Sequence, residues 1–420
     1  MTAVTLALVA LVILVLGAVG SFKFRPLGFL GALIAILIGL GTCPLYYGIF
    51  IFAIALVNLL SLTALQDIIK GVDYSLVGLM ALATMYIFTT HDFAMVLVAL
   101  VLVSVPTYIL VMLRAGKANI EVGIKYITFM VLATVMFLIG AVILLYAHAH
   151  APGAAADGFG FIYAVGYVML VLGLSLEVGV APLHEWVPDV FTAGDPIPIS
   201  IIASLAKVVP FVAALWILIP TSNAITPSLV LFTAVLAAIS MFTGNIGALT
   251  AREPARVLAY STVANMGYVL SSFVVIANRE YAYFAIAGGL LMLFANAAGK
   301  IGFFNAIKGE GAYSPFMYIL AFSFIGVPPL MGFWGKLYIL FSIAKMEYFW
   351  LVAIMVINSA ISIPYYIRLA GELGVSWRMN LVNFICLIAV IITLITALFV
   401  PVDWFFKNIA MVANSVGVTI

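Results

Sequence analysis

Apolar runs of bilayer length follow one another from end to end of this sequence, and that recurrence limits its fold more than any other feature. In order they cover 2–20, 27–42, 45–63, 73–90, 92–113, 121–147, 159–181, 196–219, 228–249, 256–277, 281–306, 313–343, 347–370 and 380–407. A helix that crosses the hydrocarbon core needs ~20 mainly apolar residues. Backbone polar groups in lipid must be satisfied within their own segment, so the runs are read as helices. The expected fold is therefore an all-α polytopic membrane protein with about fourteen transmembrane helices. Composition agrees: 66% of the chain is hydrophobic and 8% charged, against roughly 25% charged in a soluble domain. The first run has no basic segment before it and no clear cleavage site, so it is read as a spanning helix and not a removable signal.

The same features narrow the classes of function. A net charge of +2 gives no reason to expect nucleic acid. The loops are short, and no polar stretch is long enough to fold a nucleotide or other soluble-ligand site. Cys43 and Cys386 lie in apolar runs and have neither metal-ligand nor disulfide spacing. His148 and His150 form a His-x-His pair with no evident third ligand. No cofactor or metal is expected in this chain, and lipid is its expected surrounding.

Basic residues set the expected orientation. Alternate loops, counted from the first, hold Lys23, Arg25, Lys70, Arg114, Lys117, Arg252, Arg256, Lys308, Arg368 and Arg378. The opposite loops and the tail hold Arg279, Lys345 and Lys407. Both termini are thus expected on the outer side. Four lysines remain, at the edge of a span (Lys125) or within one (Lys207, Lys300, Lys336). A lysine at mid-membrane costs ~2.5–3.5 kcal/mol on insertion scales. Lys125 stands near a helix start and can extend its ammonium to the interface. The other three point to a functional path.

Two short segments resemble each other: Gly179-Val180-Ala181-Pro182-Leu183 and Gly326-Val327-Pro328-Pro329-Leu330. Glu177 and His184 flank the first, and Lys336 follows the second. Proline removes an amide donor and crowds the preceding turn, so both helices should break there. Broken helices at corresponding places in two halves mark ion paths in repeat-built transporters.

Four ordered segments then carry a family resemblance. They are GLSLEVGVAPLHEWVPDVFTAGDPIPIS (173–200), NIGALTAREPARVLAYSTVANMGY (245–268), IGVPPLMGFWGKLY (325–338) and INSAISIPYYIR (357–368). Together with Glu121 and Lys125 in EVGIKY, they resemble the antiporter-like subunits of respiratory complex I, and subunit N most. The likeness runs over roughly residues 90–370. It implies fourteen helices with two inverted five-helix repeats, whose seventh and twelfth helices are broken. The corresponding division is helices 1–3 over 1–72, the repeats over 73–219 and 228–370, and a last helix over 380–407. The resemblance further implies proton transfer along a mid-depth line of Lys, Glu and His, with redox chemistry in other subunits and other membrane-arm subunits as partners. Position by position, Lys207, Lys336 and His184 match family path residues, with Lys300 and Glu177 expected on the same path and Glu121 and Lys125 secondary to it. The implied location is an energy-transducing membrane of prokaryotic cytoplasmic type.

The departures are also informative. The family's acid five residues before the helix-5 proline is Val101 here, and its helix-7 lysine is Glu177. The family's loop lysine is Ala255, and its histidine before GY is Asn265. Glu177 is therefore expected to stand alone for a lost ion pair and to interact with Lys207. Two further readings share the fold: a cation/proton antiporter of the Mrp type, and the membrane arm of an energy-converting hydrogenase. A non-pumping structural subunit is a third.

Overall fold

The structure is a computed structural model, and it describes residues 3–65, 70–90, 92–113, 119–150, 159–376 and 380–395. Arg114, Lys117, Arg378, Lys407 and the end of the last expected span lie outside the described residues. The helices before the first break are α1 (Ala3–Gly20), α2 (Pro26–Gly39), α3 (Leu45–Leu62), α4 (Val72–Tyr86), α5 (Phe93–Leu110), α6 (Ile120–His150) and α7 (Phe159–Val178). After it come α8 (Trp186–Ala193), α9 (Pro196–Ser204), α10 (Val208–Thr221), α11 (Thr226–Thr250), α12 (Pro254–Ser271), α13 (Arg279–Lys308) and α14 (Ser314–Ile325). The second break precedes α15 (Met331–Lys345), α16 (Phe349–Leu373) and α17 (Leu381–Ile395). Among the described residues, ten helical segments are long and apolar enough to cross a membrane, and four shorter apolar helices accompany them. With α8 continuing α7 and α15 continuing α14, these make the expected fourteen spans. The chain is an integral membrane protein.

Burial separates the centre of the bundle from its rim. The windows at Pro196–Thr221, Pro254–Val275 and Glu280–Lys308 are each 94% buried, whereas Ala3–Gly20 is 17% buried. Spans eight, ten and eleven are therefore the inner helices, and α1 lies on the lipid-facing rim. Helix packing in lipid depends on close van der Waals approach, which small residues allow. A Cβ added at Gly140 of α6 would sit 2.3 Å from the Leu170 backbone nitrogen of α7.

Both expected breaks are present, and the sequence explains their geometry. Gly179 (φ +83°) and Gly326 (φ +92°) end α7 and α14 in the left-handed region, which glycine adopts without a Cβ penalty. In each case two successive amides turn back onto one carbonyl. Gly179 and Val180 donate to Ser175 O at 3.0 and 2.7 Å, and Gly326 and Val327 both donate to Phe322 O at 2.9 Å. In a continuous helix each carbonyl accepts from the amide four residues on. Val178, Phe324 and Ile325 cannot be served this way, because Pro182, Pro328 and Pro329 have no amide hydrogen. Glu177 loses its partner differently, since the Ala181 amide donates instead to Ser240 Oγ of α11 at 3.1 Å.

Basic residues at several helix ends meet polar partners. Lys125 at the start of α6, Asp189 of α8 and Arg256 of α12 line one cavity. Lys308 at the end of α13 pairs with Asp195 at 2.6 Å, and the Asp195 side chain is only 5% exposed. Asp195 also caps α9 by accepting from the Ile197 amide at 3.1 Å. Arg368 of α16 donates to Ala251 O at 2.7 Å, which closes the end of α11. Asp195→Ala removes both a helix cap and the partner of the partly buried Lys308 side chain. It is expected to cost about 1–3 kcal/mol, read as a lower unfolding temperature of the detergent-purified protein. Lys308→Ala should cost less, because the cap survives.

Candidate functional site

The four carbonyls freed at the breaks are covered by two lysines. Lys207 Nζ donates to Glu177 O at 3.2 Å and to Val178 O at 2.9 Å. Lys336 Nζ donates to Phe324 O and Ile325 O, both at 2.9 Å. The two residues before the left-handed glycine are thus capped identically in each half of the chain. The lysines come from different elements: Lys336 from α15, the continuation of its own broken helix, and Lys207 from the neighbouring eighth span. That span is itself interrupted by a 3-10 turn, Leu205–Lys207, ahead of α10. Pro210 lies in the first turn of α10, where its missing amide hydrogen is tolerated. Each ammonium also lies over an aromatic ring, Lys207 at 5.0 Å from Trp186 and Lys336 at 4.7 Å from Tyr268.

Glu177 is buried at the end of α7. Ser104 Oγ of α5 donates to its Oε1 at 2.9 Å, with Leu100 O as an alternative acceptor at 3.0 Å. Its Oε2 is buried without a protein partner. The expected contact with Lys207 takes a different form from an ion pair. Among the described residues no salt bridge joins the two side chains, and the Lys207 ammonium instead meets the Glu177 backbone carbonyl. The physical reason is the break, because two freed carbonyls in an apolar interior compete for the ammonium. Both side chains line a cavity of about 10 Å³ together with Ser104, Thr107 and Tyr126. Val101 is 41% exposed on the outer flank of α5, so the inward partner of Glu177 is Ser104, three residues on.

Lys300 lies in the last third of α13 and is fully buried. Its ammonium donates to Leu258 O at 2.5 Å and to Ser261 Oγ, both on α12. One face of α12 then orders the interior. Ser261, Asn265 and Tyr268 recur at helical spacing. Ser261 meets Lys300. Asn265 Nδ2 donates to Asn296 Oδ1 at 3.4 Å and Tyr366 Oη at 3.2 Å. Tyr268 Oη meets Ser359 Oγ at 3.1 Å, and Lys336 donates to the same Ser359 oxygen at 3.1 Å. Asn296 Nδ2 reaches back to Ala203 O at 3.1 Å, one turn before Lys207. Beside this stripe, Tyr365 Oη donates to Asn245 Oδ1 at 2.8 Å, and Asn245 Nδ2 donates to Asn358 Oδ1 at 2.9 Å.

Three expected residues lie away from this interior. His184 is half-buried in the first break, where its Nδ1 lies 3.3 Å from Pro182 O and its ring is 6.3 Å from Tyr260. No contact joins it to Glu177 or Lys207 among the described residues. Lys125 pairs with Asp189 at the wall of an open cavity of about 560 Å³ that Glu121 and Arg256 also line. His148 and His150 end α6, and no group of three metal-binding side chains occurs among the described residues.

The sequence family described as NADH:quinone oxidoreductase/Mrp antiporter, TM, matches residues 90–362. The chain belongs to this family. Its curated relatives include NADH-quinone oxidoreductase subunit 14 of Thermus thermophilus, 32% identical over 314 residues, which are 70% of this chain and 69% of the relative. Subunit N of Rubrobacter xylanophilus is 29% identical over 320 residues, 70% of this chain and 65% of that one. The chain thus spans about two thirds of these relatives' length. A chain of respiratory complex I from Thermus thermophilus with bound NADH superposes with a TM-score of 0.77, covering 98% of this chain and 99% of that one at 17% identity. A chain of the membrane-bound sulfane sulfur reductase, an archaeal respiratory membrane complex, gives 0.76 at 19% identity, covering 100% and 99%. At such identities the structural likeness is one of fold. Lys207 of the eighth span, Lys336 of the twelfth and the acid Glu177 at the end of α7 all lie within the matched residues.

Proposed function

We propose that this chain carries protons across the membrane as the antiporter-like subunit of a complex I-type oxidoreductase, while electrons move through other subunits. One observation supports this above the rest: Lys207, Lys300 and Lys336 are buried in the bundle, and polar side chains of α12 and α16 meet the ammoniums of Lys300 and Lys336. A protonatable group inside a membrane is expensive, and its usual compensation is a role in moving ions. Glu177, Lys207, Lys300 and Lys336 are the residues assigned to the path. Glu121, Lys125 and Asp189 stand at its surface mouth, and His184 is peripheral. In this reading the repeats occupy 73–219 and 228–370 and are related by an in-plane two-fold rotation, as the equally capped breaks suggest.

The rest of the reading concerns surroundings. The membrane is an energy-transducing one of prokaryotic type, with both termini outside, on the side away from the basic loops. The partners are other membrane-arm subunits, and the chain itself carries no cofactor. The test is purification of the intact assembly in mild detergent through a tag on this chain, followed by proton uptake measurements in vesicles. Co-purifying iron–sulfur subunits with electron-driven proton uptake are the expected result. An assembly without redox subunits that exchanges cations for protons would place the chain in an antiporter instead.

A further inference from the structure

The eighth span reaches Lys207 through a stretch whose own backbone does not fix its course. Ser204 (φ −104°, ψ −77°) ends α9 well away from the helical ψ of about −42°, and the 3-10 turn Leu205–Lys207 follows. Pro210 has no amide hydrogen, so the Ala206 carbonyl lacks the usual donor four residues on. Two side chains from other helices grip this stretch just before the turn. Asn58 Nδ2 of α3 donates to Ser204 Oγ at 3.0 Å, and Asn296 Nδ2 of α13 donates to Ala203 O at 3.1 Å. Ser204 Oγ gives its own hydrogen to Ile201 O at 3.1 Å, which leaves the hydroxyl oxygen to accept from Asn58.

Stability alone does not account for Asn58. It is fully buried on α3, and its Oδ1 has no hydrogen-bond partner. A half-satisfied buried amide is less favourable than an apolar side chain of similar size. What the amide supplies is a directed bond into the span that carries Lys207. We infer that Asn58 is a positioning residue for Lys207. Its bond to Ser204 holds the turn in the orientation that brings the ammonium to Glu177 O and Val178 O, while Asn296 holds the other side of the same stretch. The inference rests on the proton-carrying reading above. Lys207 lies three residues beyond Ser204, so a rotation of the turn passes directly into the direction of its side chain. The third helix lies outside both proposed repeats and thereby gives this turn an external point of attachment. A group that binds and releases a proton needs its partners held in place, and that placement is what a buried directed bond provides.

The test uses the intact complex in vesicles. Asn58→Leu removes the bond and nearly keeps the volume, so the complex should assemble in normal amount. Proton uptake at equal complex content is expected to fall about two- to tenfold, the scale of one net hydrogen bond, and the proton-to-electron ratio to fall with it. The double variant Asn58→Ser with Ser204→Asn exchanges the partners across the same gap and should restore both readouts. A cryo-microscopy map of the Asn58→Leu complex should show Lys207 Nζ outside hydrogen-bond distance of Glu177 O, Val178 O or both. A side chain that merely packs would change the amount of complex and leave uptake, ratio and map as they are, and that result overturns the inference. A loss that the exchanged pair does not recover overturns it as well. If Lys207→Gln lowers the ratio while Asn58→Leu does not, the positioning role is wrong and the proton-carrying reading stands. If neither lowers it, both are wrong. Should Asn58→Leu fail to assemble, Ser204→Ala breaks the same bond from the other side and is read in the same way.

Discussion

Glu177→Gln is expected to slow proton transfer through this chain by about 10²-fold or more, the scale of removing a positioned acid or base. The amide preserves the shape of the side chain and can still accept from Ser104 at the position of Oε1, so assembly should survive. Lys207 needs a more careful substitution. Lys207→Ala should also lower pumping, but it removes the donor that covers Glu177 O and Val178 O. Each buried carbonyl left unpaired costs about 1–3 kcal/mol, so part of that loss would reflect a damaged break. Lys207→Gln keeps N–H donors near the carbonyls and removes the group that binds and releases a proton. The decisive measurement is the proton-to-electron ratio in vesicles, at equal complex content, for Glu177→Gln and Lys207→Gln. If both leave the ratio unchanged, the chain is a structural spacer whose lysine only caps a broken helix.

The double role of Lys207 shows where sequence reasoning reaches and where it stops. The breaks were legible because glycine and proline act locally: a left-handed glycine ends a helix and a proline withholds an amide, whatever surrounds them. The buried lysines were legible because a charge in an apolar run is costly and therefore conspicuous. Their acceptors were not legible. That Lys207 would cap carbonyls thirty residues earlier follows from helices that meet only in three dimensions. Ser104 was missed for a similar reason, since a serine on a helix leaves no pattern until its neighbour is known. Asp189 and Asp195 were missed too, since an acid beside a short helix leaves no pattern until its partner is known. The asparagines are a different case. Asn58, Asn245, Asn265, Asn296 and Asn358 are all buried, and an amide in an apolar run is costly unless it is hydrogen-bonded. The argument applied to the lysines would have found them. His184 was placed on the path by resemblance alone, and its local geometry turns it toward its own Pro182 carbonyl.

Glu177→Lys is expected to have the most severe effect of any single change in the interior. It sets a second ammonium beside Lys207 and deletes the carboxylate that shares its cavity. An uncompensated buried charge costs about 3–5 kcal/mol, enough to lower the amount of assembled complex by roughly tenfold or more. A compensating acid on α5 should recover assembly and at least part of the pumping, and the structure distinguishes two places for it. Ser104 faces Glu177 directly, but it is buried and the space beside it is about 10 Å³, far too little for a glutamate side chain. Ser104→Glu would overpack the site, typically at about 1–3 kcal/mol. Val101 is one helical turn earlier, offset by about 60° around α5 toward its outer flank, and its 41% exposure leaves room for added atoms. Residues three apart on a helix are neighbours, so a glutamate at 101 can direct its carboxylate inward past Ser104. Val101→Glu with Glu177→Lys should therefore rescue assembly and proton uptake better than Ser104→Glu with Glu177→Lys. The measurement is complex content and proton uptake for the two double variants beside the Glu177→Lys parent. Rescue from position 104 alone would mean that the interior yields more readily than its packing implies, and that the outer flank of α5 cannot turn a charge inward.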